Sequence, residues 1–223
     1  MDGVGVIFDF DGVIADSEPL QYAAYSRVLR DFGVSVTREE YGREWIAAGR
    51  GPEYAVQRYG LPLTPDEVKR RKNPIYHDLL RAQVTLIPGA REALQRLAPH
   101  FPLALATNST KADTCFVLDR FDLRRYFTAL ITRECYQAPK PAPDAFLAAA
   151  AALGCEPRRC VVIEDAQKGI VSAAGAGCAT IAVPNSFTEN NDFSLADRIV
   201  TSLDDVTVPL VERLARRPLE VNG

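Results

Sequence analysis

Short apolar runs separated by helix-length segments are the feature that most constrains the fold of this chain. They lie at residues 4–8, 103–106, 130–131, 160–163, 180–183 and 198–200. The first run, Val4 to Phe8, contains no charged residue, which is typical of a strand buried on both faces. The segments between the runs have helical patterns, for example Asp113–Phe121. Strands that alternate with helices in this way predict an α/β fold, a Rossmann-like parallel sheet with helices on both faces.

The stretch from Asp16 to Leu86 interrupts this alternation, because its patterns are all helical. The predicted helices there are Tyr22–Phe32, Glu39–Ala48, Glu53–Tyr59 and Asp66–Arg81. Thr37 with Glu40 and Thr64 with Glu67 have the spacing of a capping box, which marks a helix start. We therefore predict a core domain of residues 1–15 and 87–223 and an inserted all-helical domain of residues 16–86. The polar tail from Arg216 is expected to fray.

Charge and composition narrow the functional classes. The chain has 223 residues and a formal charge of −3, with no long basic run, so nucleic acid and anionic membranes are not expected partners. No apolar stretch reaches the roughly 20 residues that span a bilayer, and Met1-Asp2-Gly3 does not begin a signal peptide. The five cysteines are scattered and form no Cys-x-x-Cys pair. These features predict a cytoplasmic protein with reduced thiols.

The strongest local signal is Phe8-Asp9-Phe10-Asp11-Gly12, at the carboxyl end of the first predicted strand. Ligands of open α/β sheets bind beyond these carboxyl ends. Asp9 and Asp11 are two residues apart, so their side chains share a face in extended backbone, and Gly12 permits a sharp turn. Such a pair can supply a nucleophile and a general acid/base. An exposed Asp-Gly turn would explain the same residues taken alone.

Three further clusters follow later predicted strands or lie in a rigid loop. Thr107 and Asn108 end the second strand, where a hydroxyl and backbone amides can bind phosphate. Lys140 is flanked by prolines, and a fixed lysine can neutralise a transferring phosphoryl group. Glu164 and Asp165 end a strand and are suitable ligands for a hard cation. A helix cap or an exposed loop lysine would explain each cluster singly.

The four clusters together resemble the motifs of the haloacid dehalogenase superfamily, in its phosphatase and β-phosphoglucomutase-like branch. Their order and context match, and the resemblance covers nearly the whole chain. The helical insert is similar to the small cap domain of that family, with Asp16–Pro19 and Thr85–Pro88 as its two hinges. The dehalogenases and carbon–phosphorus hydrolases of the superfamily lack an acid at the position of Asp11, so both are disfavoured.

This resemblance implies a role for each motif residue. Asp9 would be the nucleophile that forms an aspartyl-phosphate, and Asp11 the general acid/base that protonates the leaving oxygen and then activates water. Thr107 and Asn108 would hold the transferring phosphoryl group. Lys140 would pair with Asp9 and with that group. The expected substrate is therefore a small phosphorylated metabolite.

The resemblance also implies a Mg²⁺ cofactor. Its ligands would be the Asp9 carboxylate, the Asp11 carbonyl and Asp165, with Glu164 bound to the ion directly or through its neighbours. A dianionic phosphate repels an anionic nucleophile, and Mg²⁺ together with Lys140 would offset that repulsion.

The cap is expected to select the substrate, because it closes over the site. Arg50 and Lys72 resemble cap residues of the sugar-phosphate mutases, although a solvated helix face would explain them equally. Gln21 lies where those mutases carry a histidine, and a neutral amide cannot exchange protons. This favours a phosphatase for a sugar phosphate or phosphoglycolate. A β-phosphoglucomutase-like enzyme is the alternative, and a non-catalytic binding protein is disfavoured by the intact motifs. A monomer is the default expectation.

Overall fold

The computed structural model describes residues 3–216, so the outermost residues of the predicted core domain and most of the predicted polar tail lie outside the described part. Within it, six parallel strands form one sheet in the order β3-β2-β1-β4-β5-β6. The strands are β1 (Gly5–Phe8), β2 (Leu103–Ala106), β3 (Ala129–Ile131), β4 (Cys160–Glu164), β5 (Ala179–Ala182) and β6 (Arg198–Ile199). The predicted α/β class with a parallel sheet is confirmed.

The helices of the insert between β1 and β2 are α1 (Glu18–Arg30), α2 (Arg38–Tyr41), α3 (Gly51–Tyr59) and α4 (Pro65–Gln83). The helices that follow are α5 (Ala90–Leu97), α6 (Lys111–Arg120), α7 (Asp144–Leu153), α8 (Gln167–Gly175) and α9 (Val208–Ala215). No helix in the described range is both long and apolar enough to cross a membrane.

Two predictions for the helices were incomplete. The predicted helix Glu39–Ala48 is α2 followed by a wider π-helical segment, Gly42–Ala47. The C-terminal helix α9 was not predicted, although its start signals are present: the Thr207 hydroxyl accepts a hydrogen bond from the Leu210 N–H, and a proline lies in the first turn.

Side chains of the strands alternate between two apolar layers, as parallel strands covered on both faces require. Val6 and Phe8 of β1 pack in the layer with α5 and α9, whereas Ile7 packs in the opposite layer with α7. All three are fully buried. Because helices cover both faces of the sheet, β1 and β4 form its rigid centre. The polar residues at the carboxyl ends of these strands are therefore held in fixed positions.

The helical insert has an apolar cluster of its own, which also includes Phe187 from the loop after β5. The ring centroid of Phe187 lies 6.0 Å from that of Tyr41, and the Arg38 guanidinium lies 4.3 Å above the Phe187 ring. At the base of the insert, the Asp16 N–H donates to the Thr85 carbonyl at 3.0 Å. The insert is therefore tied to the carboxyl edge of the sheet at two places. The division at residues 16 and 86 stays a prediction.

The two predicted capping boxes differ. At α4, the Thr64 hydroxyl accepts from the Glu67 N–H and the Glu67 carboxylate accepts from the Thr64 N–H, at 3.2 and 2.8 Å, which completes the box. At α2, the Thr37 hydroxyl accepts from the Glu40 N–H at 3.1 Å. The Glu40 carboxylate turns away to the hydroxyls of Tyr54 and Tyr59, so the reciprocal bond is not made.

Replacing Thr64 with alanine removes the hydroxyl that caps α4. We expect the free energy of unfolding to fall by about 1 kcal/mol, the usual cost of losing such a cap. Urea denaturation followed by circular dichroism measures this change. Ser35→Ala, at an exposed loop position before α2, is the control and is expected to leave the stability within about 0.5 kcal/mol of the wild type. An equal loss in both variants would contradict the capping role.

Candidate active site

The predicted motif residues meet at the carboxyl edge of the sheet. Asp9 follows β1, Thr107 follows β2, and Asp165 follows β4, whose last residue is Glu164. Since β1 pairs in parallel with both β2 and β4, these three strand ends lie side by side. Lys140 reaches the same point from the loop between β3 and α7. The sheet therefore brings together residues more than 150 positions apart in the sequence.

Lys140 forms the centre of this group. Its ammonium donates to Asp9 Oδ1 at 2.6 Å, to Glu164 Oε1 at 2.8 Å and to the Ala106 carbonyl at 3.0 Å. Its side chain is only 2% exposed. Burial acts against the charged form, but the Asp9 and Glu164 carboxylates outweigh it and raise the pKa of Lys140. The lysine is thus held as a cation with all of its donors satisfied.

Glu164 is fixed by the backbone as well as by Lys140. Its Oε2 accepts hydrogen bonds from the N–H groups of Asp165 and Ala166 at 2.9 and 3.0 Å. Gly169 leaves the space that the carboxylate fills, because a Cβ at this position would lie 1.7 Å from Glu164 Oε1. Both carboxylate oxygens therefore have protein donors.

Asp165 adds a third buried carboxylate beside the two that Lys140 contacts. Oxygen atoms of Asp9, Glu164 and Asp165 lie within 4.8 Å of one another. Burial raises the pKa of Asp9 to about 7, although the charge of Lys140 acts in the opposite direction. Burial, reinforced by the neighbouring carboxylates, holds the pKa of Asp165 well above its usual range. Asn185 donates to Asp165 Oδ2 at 2.7 Å. The surplus of negative charge and the oxygen donors suit a hard divalent cation.

Asp11 is oriented by hydroxyl groups. Ser17 and Ser109 each donate a short hydrogen bond to its carboxylate, and the Thr107 hydroxyl lies 3.4 Å from Oδ2. The turn that follows requires glycine: Gly12 has a φ of +81°, and a Cβ there would lie 2.2 Å from Asp165 Oδ2. The chain can therefore bring Asp11 and Asp165 together only because position 12 has no side chain.

Asn108 is held by its side-chain oxygen. Asn108 Oδ1 accepts from the Tyr136 hydroxyl at 2.7 Å and from the Lys140 N–H at 3.1 Å. Among the described residues its Nδ2 has no hydrogen-bond partner, so this donor is available to a ligand. The Thr107 hydroxyl accepts from the Ser109 N–H at 2.9 Å, which fixes the start of the loop after β2.

The three predicted cap residues, Gln21, Arg50 and Lys72, do not lie in one place. Gln21 and Lys72 are together: the Lys72 ammonium donates to Gln21 Oε1 at 2.8 Å and lies 4.6 Å from the Tyr76 ring centroid. Burial lowers the pKa of Lys72 to about 8. Arg50, for which a site-facing position and a solvated helix face explained the sequence equally, is exposed and pairs with Glu44. The Glu44 carboxylate is buried and needs a cation, which explains where Arg50 points.

A small cavity opens beside Asp9. The helical insert contributes Glu18 and Ile46 to the lining of this cavity, and α8 contributes Lys168. Its other lining residues are Asp9, Asp11, Thr107, Asn108, Lys140, Glu164, Asp165 and Ala166. Gln21, Arg50 and Lys72 are not among them. Burial, followed by the charge of Asp11, raises the pKa of Glu18 to about 7.

Several residues of the site were not predicted from the sequence. Ser17 and Glu18 were noted only as parts of the hinge Asp16–Pro19, and no role was given to Ser109, Lys168 or Asn185. Asn185 carried a usable signal, because it follows the carboxyl end of β5. Glu18 and Lys168 carried none, because their approach to Asp9 depends on how the insert packs on the sheet.

A parallel sheet with paired aspartates, a buried lysine and an acidic strand end defines the class of haloacid dehalogenase-like proteins. Residues 6–183 match the family described as haloacid dehalogenase-like hydrolase, and the chain belongs to this family. Hexitol phosphatase B of Escherichia coli is 33% identical over 210 residues, covering 92% of this chain and 94% of that protein.

Two further comparisons support membership of the same family. Fructose-1-phosphate phosphatase YqaB of E. coli is 31% identical over 184 residues, covering 80% of this chain and 95% of that protein. The structure of CbbY from Rhodobacter sphaeroides in complex with xylulose-(1,5)-bisphosphate is 26% identical with a TM-score of 0.75, covering 89% of this chain and 94% of that one. The chain is a phosphoric monoester hydrolase of this family.

Gly169→Ala tests the space that holds Glu164. The new methyl group would displace the Glu164 carboxylate and with it Lys140, so we expect kcat for phosphate release to fall at least about a hundredfold. Gly175→Ala in the same helix is the control, because a Cβ there meets its nearest neighbour, Pro143, at an ordinary 3.8 Å. Steady-state kinetics and circular dichroism of both variants decide the point. Unchanged kcat in a folded Gly169→Ala protein would show that the position of Glu164 is unimportant.

Lys72→Met tests the burial of the Lys72 ammonium. The folded protein releases this proton near pH 8, whereas the unfolded chain keeps it to about 10.5. Between these values the unfolded chain binds more protons, so the stability of the wild type should rise with pH relative to Lys72→Met. The gain approaches about 1.4 kcal/mol per pH unit. Urea denaturation at pH 7 to 10 measures it, with exposed Lys69→Met as control. A difference that does not change with pH would contradict the burial.

Proposed function

We propose that the chain is a Mg²⁺-dependent phosphatase that hydrolyses a small phosphorylated metabolite, such as a sugar phosphate or phosphoglycolate, through an aspartyl-phosphate on Asp9. The observation that carries this proposal is the contact of 2.6 Å between the Lys140 ammonium and the Asp9 carboxylate at the carboxyl edge of the sheet. Relatives named as phosphatases of phosphorylated carbohydrates support the substrate class.

Lys140 contacts two acids, Asp9 and Glu164. Asp9 is proposed as the nucleophile because both carboxylate oxygens of Glu164 already have donors. The ammonium fixes the orientation of the Asp9 carboxylate and reduces its repulsion of an incoming phosphate. The Asp9 carboxylate would attack phosphorus and displace the alcohol of the substrate. Water would then hydrolyse the resulting acyl phosphate and regenerate the carboxylate.

Asp11 is proposed as the general acid/base. It lies two residues after Asp9 and is held by the Ser17 and Ser109 hydroxyls, so its carboxyl group has a defined orientation. In the first half of the reaction it would donate a proton to the leaving oxygen. In the second half it would take a proton from the attacking water.

The phosphoryl group would be held by two donors and one fixed charge. We assign the Thr107 hydroxyl and the side-chain amide of Asn108 as the donors. The Lys140 ammonium, whose N–H groups already have partners, would contribute its positive charge. Asn108 suits its role because its oxygen already has two donors, which leaves Nδ2 for a phosphate oxygen. Such preorganised donors stabilise charge that develops in the transition state.

Asp9, Asp165 and the main-chain carbonyl of Asp11 are the residues we assign to Mg²⁺. The surplus of buried carboxylates over ammonium groups supports a divalent cation here. Glu164 has donors on both oxygens, so we assign it to the orientation of Lys140 and the loop after β4. When bound, the ion supplies positive charge that offsets repulsion between the phosphate and the acids.

Hydrolysis is preferred to mutation because of Gln21. Its side-chain oxygen accepts from Lys72, and an amide cannot exchange a proton with substrate or with Asp11. A β-phosphoglucomutase-like activity is the alternative, and the two differ in whether water or sugar receives the phosphoryl group. A monomeric enzyme without nucleic-acid or membrane partners completes the proposal.

Asp9→Asn tests the mechanism. We expect Mg²⁺-dependent phosphate release from a panel of phosphorylated metabolites by the wild type and a loss of at least about a thousandfold in the variant, since an amide is not a nucleophile. Asp119→Asn is the control, because Asp119 is a surface residue paired with Arg124.

Three results would contradict parts of the proposal. Equal activity of wild type and Asp9→Asn would exclude the aspartyl intermediate. Activity unchanged by removal of divalent ions with a chelator would exclude the metal. Conversion of β-glucose 1-phosphate to glucose 6-phosphate in the presence of the bisphosphate, without phosphate release, would establish the mutase alternative.

A further inference from the structure

Glu18 is an acid of the cavity that the proposed mechanism does not use. It begins α1, at the point where the chain enters the helical insert, and it lines the same cavity as Asp9 and Asp11. Its Oε2 accepts a hydrogen bond from the Tyr41 hydroxyl at 3.0 Å. Its Oε1 accepts none from the residues that the structure describes. One oxygen is therefore fixed and the other is available to a ligand.

The surroundings of Glu18 have a particular chemistry. Lys168, one turn from Asp165, lines the cavity with it and offers a donor, while Ile46 from the π-helical segment offers an apolar surface. The stem of Lys168 lies under the cap loop, 4.0 Å from where a Cβ of Gly49 would be. Glu18 is a hydrogen-bond acceptor, Lys168 is a donor and Ile46 is an apolar surface. Together they are complementary to a ligand with a carbon chain that carries hydroxyl groups.

Charge argues against a second acid on the substrate. The cavity is lined by five acids but only two lysines, and Lys140 already donates to Asp9 and Glu164. One lysine is therefore left to neutralise a second acid. A substrate carboxylate near Glu18 would be repelled by it and by Asp11. A hydroxyl group would instead donate to the Glu18 carboxylate, and such charge-assisted hydrogen bonds are strong.

We propose that Glu18 determines specificity by accepting hydrogen bonds from substrate hydroxyls, and that the substrates are polyhydroxylated phosphates, of sugars or sugar alcohols, and not phosphorylated acids. This inference rests on the proposed phosphatase function and narrows its substrate class. Tyr41 positions Glu18 by fixing Oε2. Glu18 takes no part in the transfer of the phosphoryl group.

Steady-state kinetics of wild type and Glu18→Gln test the proposal with three substrates: sorbitol 6-phosphate, phosphoglycolate and ethyl phosphate, which has no hydroxyl group. For the wild type we expect kcat/KM to be at least about tenfold higher with sorbitol 6-phosphate than with phosphoglycolate. In Glu18→Gln the ratio of kcat/KM for sorbitol 6-phosphate to that for ethyl phosphate should fall about tenfold, mainly through KM. The value for phosphoglycolate should rise.

Glu53→Gln is the matched control, because Glu53 lies on the exposed face of the same insert and pairs with Lys69 at 3.3 Å. It should leave kcat/KM unchanged for all three substrates. A wild-type preference for phosphoglycolate would overturn the inference. So would an equal fall with sorbitol 6-phosphate and ethyl phosphate in Glu18→Gln, because Glu18 would then act on chemistry common to every substrate.

Calorimetry separates this inference from the proposed function. Sorbitol 6-phosphate is titrated into Asp9→Asn and into Asp9→Asn with Glu18→Gln, and Kd should be about tenfold weaker in the double variant. Equal Kd values would overturn the role of Glu18 whatever the activity. If no phosphate is released from any substrate but Kd weakens as expected, the role of Glu18 in binding polyol phosphates is supported and only the hydrolytic function fails.

Discussion

The buried contact of the Lys140 ammonium with the carboxylates of Asp9 and Glu164 is the interaction on which the rest of the site depends. Taking these charges out of water costs several kcal/mol each, and a buried ion pair seldom returns more than it costs. A hydrophobic trio would stabilise the fold at least as well. The arrangement is therefore best understood as a functional one, because it fixes a cation next to the Asp9 carboxyl group at the edge of the sheet.

The parallel sheet holds these buried charged groups in fixed positions next to one another. β1 and β4 are covered on both faces, so the acids at their ends have little freedom to separate. Two glycines complete the design: Gly12 lets the chain turn against Asp165, and Gly169 leaves room for the Glu164 carboxylate. The close approach of these acids concentrates negative charge, and buried carboxylate oxygens are suitable ligands for a hard cation.

The helical insert supplies the side of the cavity that the sheet does not, through Glu18 and Ile46. Phe187 of the sheet-edge loop packs into its aromatic cluster beside Tyr41, and Tyr41 in turn holds Glu18 over the cavity. The Tyr41 side chain thus links the packing of the insert on the sheet-edge loop to the position of Glu18, which lines the cavity. The residues proposed for phosphoryl transfer lie at the edge of the sheet, whereas Glu18, which is proposed to bind hydroxyl groups, lies in the helical insert.

The sequence by itself determined the α/β class, the strands and the residues of the four motifs, because periodicity and strand-end acids are local properties of the chain. It did not determine that Arg50 pairs with Glu44, that α2 widens into a π-helical segment, or that Ser17 and Ser109 hold Asp11. The contacts of Glu44 and Asp11 depend on which polar side chains, between 6 and 98 positions away, reach the same carboxylate. Only the tertiary structure decides which of them do so, since burial makes every unpaired polar group costly.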